Sequence, residues 1–66
     1  MHIFINGREV NISSGQALYD LIVTMALDPS VVVAELNGDL VPGAKFTDTI
    51  LHAGDRLELL SFVGGG

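Results

Sequence analysis

Residues 1–12, MHIFINGREVNI, alternate apolar and polar side chains on either side of an Asn-Gly pair, and this pattern decides the fold. Successive side chains of a strand point to opposite faces, so residues two apart share a face. Asn6-Gly7 is a preferred pair for a two-residue type I′ turn. The stretch therefore predicts a hairpin of two strands, at about residues 2–6 and 8–12. Four side chains form its apolar face: Ile3, Ile5, Val10 and Ile12.

A single helical pattern follows the hairpin. The Ser-Ser-Gly segment at 13–15 interrupts the alternation, and apolar residues then recur at helical spacing. The glycine in that segment places the start of the helix near Ala17. The helix ends by Asp28-Pro29, because proline cannot continue it and restricts the residue before it. The stripe expected to face the core, with Met25 as a core residue, consists of Leu18, Leu21, Ile22, Met25 and Ala26.

The middle of the chain repeats the hairpin pattern. Val31 to Leu36 is rich in β-branched residues, Asn37-Gly38 supplies a second turn, and Asp39 to Val41 forms a short partner strand before Pro42. On the longer strand, Val32, Ala34 and Leu36 face one side of the sheet, and Val33 and Glu35 face the other.

A less regular segment leads to the last predicted strand. Gly43 to His52 is expected to hold one helical or 3₁₀ turn, anchored by Phe46, Ile50 and Leu51. Ala53-Gly54-Asp55 then turns the chain into a strand over Arg56 to Phe62. On this strand Leu57 and Leu59 face the helix, and Arg56, Glu58, Leu60 and Phe62 face away from it.

The order of elements is ββαββ, a short turn, then β. One helix covering one face of a mixed five-stranded sheet is an α+β layered architecture. We expect a single domain over residues 1–63. A domain of this size buries only about 60% of the surface that its unfolded chain exposes, so its stability depends on one compact core.

Three glycines, Gly64, Gly65 and Gly66, come directly after the last predicted strand. Glycine loses more backbone freedom on ordering than any other residue, so an ordered role would be costly. We expect a flexible tail at 64–66 that carries the carboxylate of Gly66 outward. The glycines alone leave two interpretations open, a chemical terminus or a passive chain end.

Composition limits the classes of function. Eight acidic residues against three basic ones give a net charge of −5, which opposes binding to nucleic acid and to anionic membranes. The absence of cysteine excludes thiol catalysis and disulfides, and is compatible with a reducing cytoplasm. No apolar stretch is long enough for a membrane span, and we expect no targeting signal. We expect a cytoplasmic protein, monomeric when free.

The titratable side chains do not form a site in the sequence. His2 and His52 have no partner at metal-ligand spacing, so no metal site is expected. Asp39, Asp48 and Asp55 fall in or near turns, where aspartate commonly caps backbone donors. We therefore expect no catalytic residue.

Three stretches together resemble a known family: 1–7, MHIFING; 34–42, AELNGDLVP; and 54–59, GDRLEL, running on to 62–66, FVGGG. They resemble the ThiS family of ubiquitin-like (β-grasp) sulfur carriers, whose pathway makes the thiazole of thiamine. The resemblance to the small subunit of molybdopterin synthase is weaker. Two positions depart from the family pattern: Ala17 at the helix cap and Gly43 after the middle proline.

The resemblance implies a chemistry for the terminus. Gly66 would be adenylated with ATP-Mg by a ThiF-like activating enzyme, and a persulfide donor would convert it to a thiocarboxylate. That sulfur would pass to a ThiG-like thiazole synthase, with the chain as a protein cosubstrate that binds no cofactor and has no active site of its own. Gly64 and Gly65 would give access to a narrow channel, because no Cβ obstructs the backbone.

Outward-facing residues of the sheet form the expected partner-binding surface: Phe4, Val33, Leu60, Phe62 and Glu58. Exposed apolar patches often mark interaction sites. Two alternative functions stay open, a sulfur carrier of a molybdopterin or amino-acid pathway, and a β-grasp interaction domain whose glycines have no chemical role.

Overall fold

The computed structural model describes residues 1–62, which form one sheet, one α-helix and two short 3₁₀ helices. The predicted order of elements is confirmed. The strands and the α-helix are β1 (His2–Ile5), β2 (Arg8–Asn11), α1 (Leu18–Thr24), β3 (Val32–Leu36), β4 (Asp39–Val41) and β5 (Arg56–Ser61). The 3₁₀ helices are Pro29–Val31 and Gly43–Asp48.

The five strands lie in the order β2-β1-β5-β3-β4. β1 and β5 are parallel, and the other neighbouring pairs are antiparallel, so the sheet is mixed as predicted. β5 is the central strand, paired with β1 on one side and with β3 on the other. The strand that leads toward the terminal glycines is therefore held from both sides.

Both Asn-Gly pairs form the predicted turns. Asn6 and Gly7 have φ values of 50° and 82°, and Asn37 and Gly38 have φ values of 52° and 88°. A type I′ turn needs positive φ at both central residues, which asparagine and glycine adopt with little strain. The turns fix the registers Ile5 with Arg8 and Leu36 with Asp39.

The core lies between the sheet and a layer made by α1 and the second 3₁₀ helix. Phe46, only 2% exposed, closes this layer beside the helix. Burial of alternate strand residues follows the predicted alternation. The buried cluster consists of Ile3, Ile5, Leu18, Leu21, Ile22, Val32, Ala34, Phe46, Leu51, Leu57 and Leu59.

The helix ends earlier than its apolar pattern predicts. Met25, predicted to be core, is 40% exposed, and Ala26 is also exposed. The reason is that Ala26 has φ of 61°, which ends the helix after Thr24. Leu27 instead packs against the core, and its N–H donates to the carbonyl of Ile22 at 3.1 Å.

Ile50, predicted as an anchor of the turn within residues 43–52, lies outside the core. It forms an isolated antiparallel bridge with Ala17, and its side chain is exposed. Because side chains alternate in extended backbone, this bridge directs Ile50 outward and Leu51 into the core. Ala17 is the N-cap of α1, as expected, and makes no side-chain capping bond.

Four strands are one residue shorter than predicted. β1 stops at Ile5 because Asn6 already has the left-handed conformation of the turn. β2 stops at Asn11 and β5 at Ser61, while β3 begins at Val32 because Val31 ends the first 3₁₀ helix. Neither α1 nor the 3₁₀ helices of residues 1–62 is long and apolar enough to cross a membrane.

Candidate functional site

The sheet has one face covered by the helical layer and one outer face. Leu57 and Leu59 of β5 are buried on the covered side, and Arg56, Glu58 and Leu60 are exposed. The chain continues the ladder past the strand, where Phe62 N–H donates to the carbonyl of Val31 at 2.8 Å. The outer face therefore runs directly up to the last described residue.

The five residues predicted as a partner surface are all exposed. Leu60 is 58% exposed and Phe62 is 55% exposed, large fractions for apolar side chains. Phe4 and Val33 are also exposed, as is Glu58. Their exposure shows that these side chains are accessible to a partner.

The structure divides the predicted surface into two parts. Val33 lies directly opposite Leu60 in the antiparallel pairing of β3 and β5. Phe4 is paired with Arg56 at the other end of β5, roughly 13 Å from Leu60 along the strand. Val33 and Leu60 are thus brought together near the end of β5, and Phe4 is not.

Leu40 belongs to the same outer face and was missed by the sequence reasoning. It is 67% exposed and lies opposite Glu35 in the pairing of β3 and β4. The two-residue turn at Asn37-Gly38 already fixes that register, so it could have placed Leu40 on the face of Val33. We call Val33, Leu40 and Leu60 the apolar patch.

An acidic pair borders the apolar patch. Glu35 and Glu58 face each other directly across β3 and β5, and both are exposed. Directly opposite side chains of antiparallel strands lie within about 4.5–5.5 Å at Cβ, so two like charges there are destabilising. A shallow recess lined by Asn6, Val33, Glu35, Glu58, Leu59 and Leu60 joins this pair to part of the patch.

The remaining titratable residues lie outside this face or act as caps. Within residues 1–62, no group of three His, Cys, Asp or Glu side chains is placed to hold a metal ion. Asp55 accepts a hydrogen bond from the backbone N–H of His52 at 2.8 Å, which confirms its turn-capping role. Hydrogen bonds from Ser30 N–H and Oγ lower the pKa of Asp28, in the connection between α1 and β3.

The chemical part of the predicted site falls beyond the described residues. Gly64, Gly65 and Gly66 are all outside residues 1–62. The structure nevertheless identifies what precedes them: the central strand of the sheet, with the apolar patch and the acidic pair beside its final residues. The exposed apolar patch therefore lies on the part of the sheet from which residues 63–66 follow.

Comparisons with known proteins agree with the fold described above. A crystal structure of the thiamine biosynthesis protein ThiS from Geobacter metallireducens superposes with a TM-score of 0.85 at 28% identity. That similarity covers 100% of both chains. The protein ycf40 of Pyropia yezoensis is 38% identical over 64 residues, covering 97% of this chain and 90% of that protein.

A similar segment also occurs within a longer relative. The thiazole synthase of Paramagnetospirillum magneticum is 33% identical over 66 residues, which is 100% of this chain and 20% of the synthase. The chain therefore spans only a fifth of the length of that relative. A family model described as ThiS family matches residues 3–66, from β1 through the terminal glycines. This chain belongs to the ThiS family.

Proposed function

We propose that this chain is a sulfur carrier for thiazole formation in thiamine biosynthesis, and that the C-terminal carboxylate of Gly66 carries the sulfur. The main support is that the ThiS family match extends from β1 through residue 66. The likeness to a ThiS thiamine biosynthesis protein over the whole of both chains adds to it.

The proposed chemistry begins from an unreactive group. A carboxylate is a poor electrophile, so a ThiF-like enzyme first joins the Gly66 oxygen to the α-phosphate of ATP and releases pyrophosphate. The terminal sulfur of a persulfide then attacks the acyl carbon, and AMP leaves with that oxygen. A thiol cleaves the resulting acyl disulfide, which frees the thiocarboxylate. ATP-Mg is the substrate of the activating enzyme, not a cofactor of this chain.

The chain's own composition suits a carrier. It contains no cysteine, so the persulfide must belong to another protein. In this scheme the chain is a protein cosubstrate without an active site, working in the cytoplasm as a monomer when free. A ThiG-like thiazole synthase is the proposed sulfur acceptor, supported by the thiazole synthase in which a related segment occurs.

Reconstitution of thiazole formation tests the pathway. The thiocarboxylate form of this chain, mixed with thiazole synthase and its small-molecule substrates, should support turnover in proportion to the carrier added. The unmodified chain should support none. Sulfur transfer to another acceptor, with no thiazole formed, would contradict the thiazole pathway while leaving the terminal chemistry intact.

The outer face of the sheet is the proposed docking surface for the activating enzyme. The apolar patch exposes large side chains beside the strand that leads to Gly66. A partner that binds this patch would be close to the terminus that it modifies. Apolar anchors at the centre of an interface commonly account for much of its binding energy.

Leu60→Asp is expected to weaken binding to the activating enzyme at least about tenfold, because a charge would have to be desolvated in an apolar contact. Titration calorimetry with the purified enzyme measures this. Val23→Asp is the matched control, since Val23 is exposed on α1 in the opposite layer. Equal affinities of the two variants would show that Leu60 is not an anchor.

Glu58→Gln is expected to have opposite effects on stability and on binding. Removing the repulsion from Glu35 should stabilise the fold by about 0.5 kcal/mol or less, as Glu58 is exposed. If a basic group of the partner binds beside the pair, affinity should fall at low salt and the difference should shrink at high salt.

Glu9→Gln on β2 serves as the control for that measurement. It makes the same change in charge at another exposed position, two strands away in the sheet. Thermal melts and binding titrations at two salt concentrations would compare the variants. Identical binding of Glu58→Gln and Glu9→Gln would exclude a specific role for Glu58.

A further inference from the structure

Asn6 continues the pairing of β1 and β5 after β1 has ended. Up to that point, backbone hydrogen bonds join the two strands. Phe4 N–H donates to the Asp55 carbonyl at 2.9 Å, and Asn6 N–H donates to the Leu57 carbonyl at 2.9 Å. The chain then turns away at Asn6, where φ is 50°. The next residue of β5 that faces β1, Leu59, is therefore beyond the reach of the β1 backbone.

The Asn6 side chain supplies the missing partner. Leu59 N–H donates to Asn6 Oδ1 at 2.9 Å, and Asn6 Nδ2 donates to the Leu59 carbonyl at 3.2 Å. A primary amide offers the same donor and acceptor as a peptide group. The Asn6 side chain thus replaces one backbone hydrogen-bonded pair. Both the N–H and the carbonyl of the buried Leu59 are therefore paired.

Two requirements meet at this position. The turn needs a residue that tolerates positive φ, which favours Gly, Asn and Asp. Pairing with Leu59 needs both a donor and an acceptor, which glycine lacks and an ionised aspartate only half supplies. Among these three residue types, asparagine alone meets both requirements.

Asn37 provides a natural comparison in the second hairpin. Its φ is 52°, and its Oδ1 accepts from Arg56 N–H at 2.9 Å. Its Nδ2 donates to Asp55 Oδ1 at 3.0 Å. The two turn asparagines therefore hold opposite ends of β5, Asn37 its start and Asn6 its final part.

We propose that Asn6 is a positioning residue for the terminus: its side-chain amide holds the end of β5 so that Gly66 is presented to the activating enzyme. On the other side of β5, the bond from Phe62 N–H to Val31 holds the same end. This inference rests on the proposed function, since it concerns how efficiently the carboxylate is presented. It predicts that loss of the Asn6 amide lowers the rate of adenylation without weakening binding to the activating enzyme.

Asn6→Gly and Asn37→Gly form the test pair, because glycine keeps each turn and removes only the side-chain amide. In Asn6→Gly the Leu59 amide should exchange with solvent hydrogen at least about tenfold faster. The kcat for adenylation should fall about tenfold while KM stays within about twofold of the wild type. Asn37→Gly should leave Leu59 protected and kcat unchanged.

Each other outcome has a defined meaning. Unchanged protection of Leu59 in Asn6→Gly would show that the amide does not hold β5, whatever the activity. An equal fall in kcat for both variants would reduce Asn6 to a general structural role and overturn the proposal. A wild-type chain that is never adenylated would overturn the proposed function, and Asn6 would then have no positioning role in that reaction.

Discussion

Deletion of Gly66 is expected to abolish sulfur delivery while leaving the thermal stability of the domain almost unchanged. The shortened chain still ends in a glycine carboxylate, but its maximum reach is shorter by roughly 3.3–3.6 Å. Gly65→Trp should have the same effect, because a large side chain would collide with the narrow channel that we propose in the activating enzyme. The buried cluster of the described residues spans Ile3 to Leu59, and we expect neither change to alter it.

Paired measurements on the same preparations check this prediction. Thermal unfolding followed by circular dichroism gives stability, and product formation with the partner enzymes gives sulfur delivery. Gly43→Ala is the control, since a Cβ there would approach nothing closer than 4.0 Å, and it should leave both quantities unchanged. A large loss of stability on deleting Gly66 would indicate a structural segment instead.

Phe46→Ala is expected to destabilise the domain by about 3–5 kcal/mol. Phe46 is 2% exposed and lies in the 3₁₀ helix that completes the helical layer beside α1. A natural domain of this size has a total stability of roughly 3–10 kcal/mol, so the loss should be a large fraction of the total. Urea denaturation of the wild type and the variant gives the difference in unfolding free energy.

Phe62→Ala removes the same side chain from an exposed position. Phe62 is 55% exposed and follows β5, so its loss should change stability by about 0.5 kcal/mol or less. Similar urea denaturation midpoints for the two variants would mean that the second 3₁₀ helix does not contribute to the core. The contrast between the two phenylalanines thus tests the division between core and outer face.

The sheet could be predicted from sequence because its signals are local. Each hairpin has an Asn-Gly pair that fixes the turn, and alternation then assigns every strand residue to a face. The end of α1 could not be predicted this way. The apolar spacing continues through Met25 and Ala26, but the backbone at Ala26 has positive φ, and Leu27 beyond it packs against the core.

The sequence predicts which face of the sheet holds the candidate site, but not which residues lie together on that face. Alternation correctly places Phe4, Val33 and Leu60 on the exposed side, since each follows a buried neighbour by one residue. Which of these residues lie close together depends on the parallel register between β1 and β5. These strands are far apart in the sequence, so no local pattern predicts that register. That register separates Phe4 from Leu60, and it also brings Asn6 to Leu59.

Intact-mass spectrometry of this chain, produced together with a ThiF-like enzyme and a persulfide donor, tests the sulfur-carrier function most directly. A carrier should gain the mass difference of one oxygen replaced by sulfur, located at Gly66 by fragmentation and dependent on ATP. The Gly66 deletion, treated in the same way, should show no such change. An unmodified mass, with both partner enzymes shown to be active on another carrier, would contradict the proposed function.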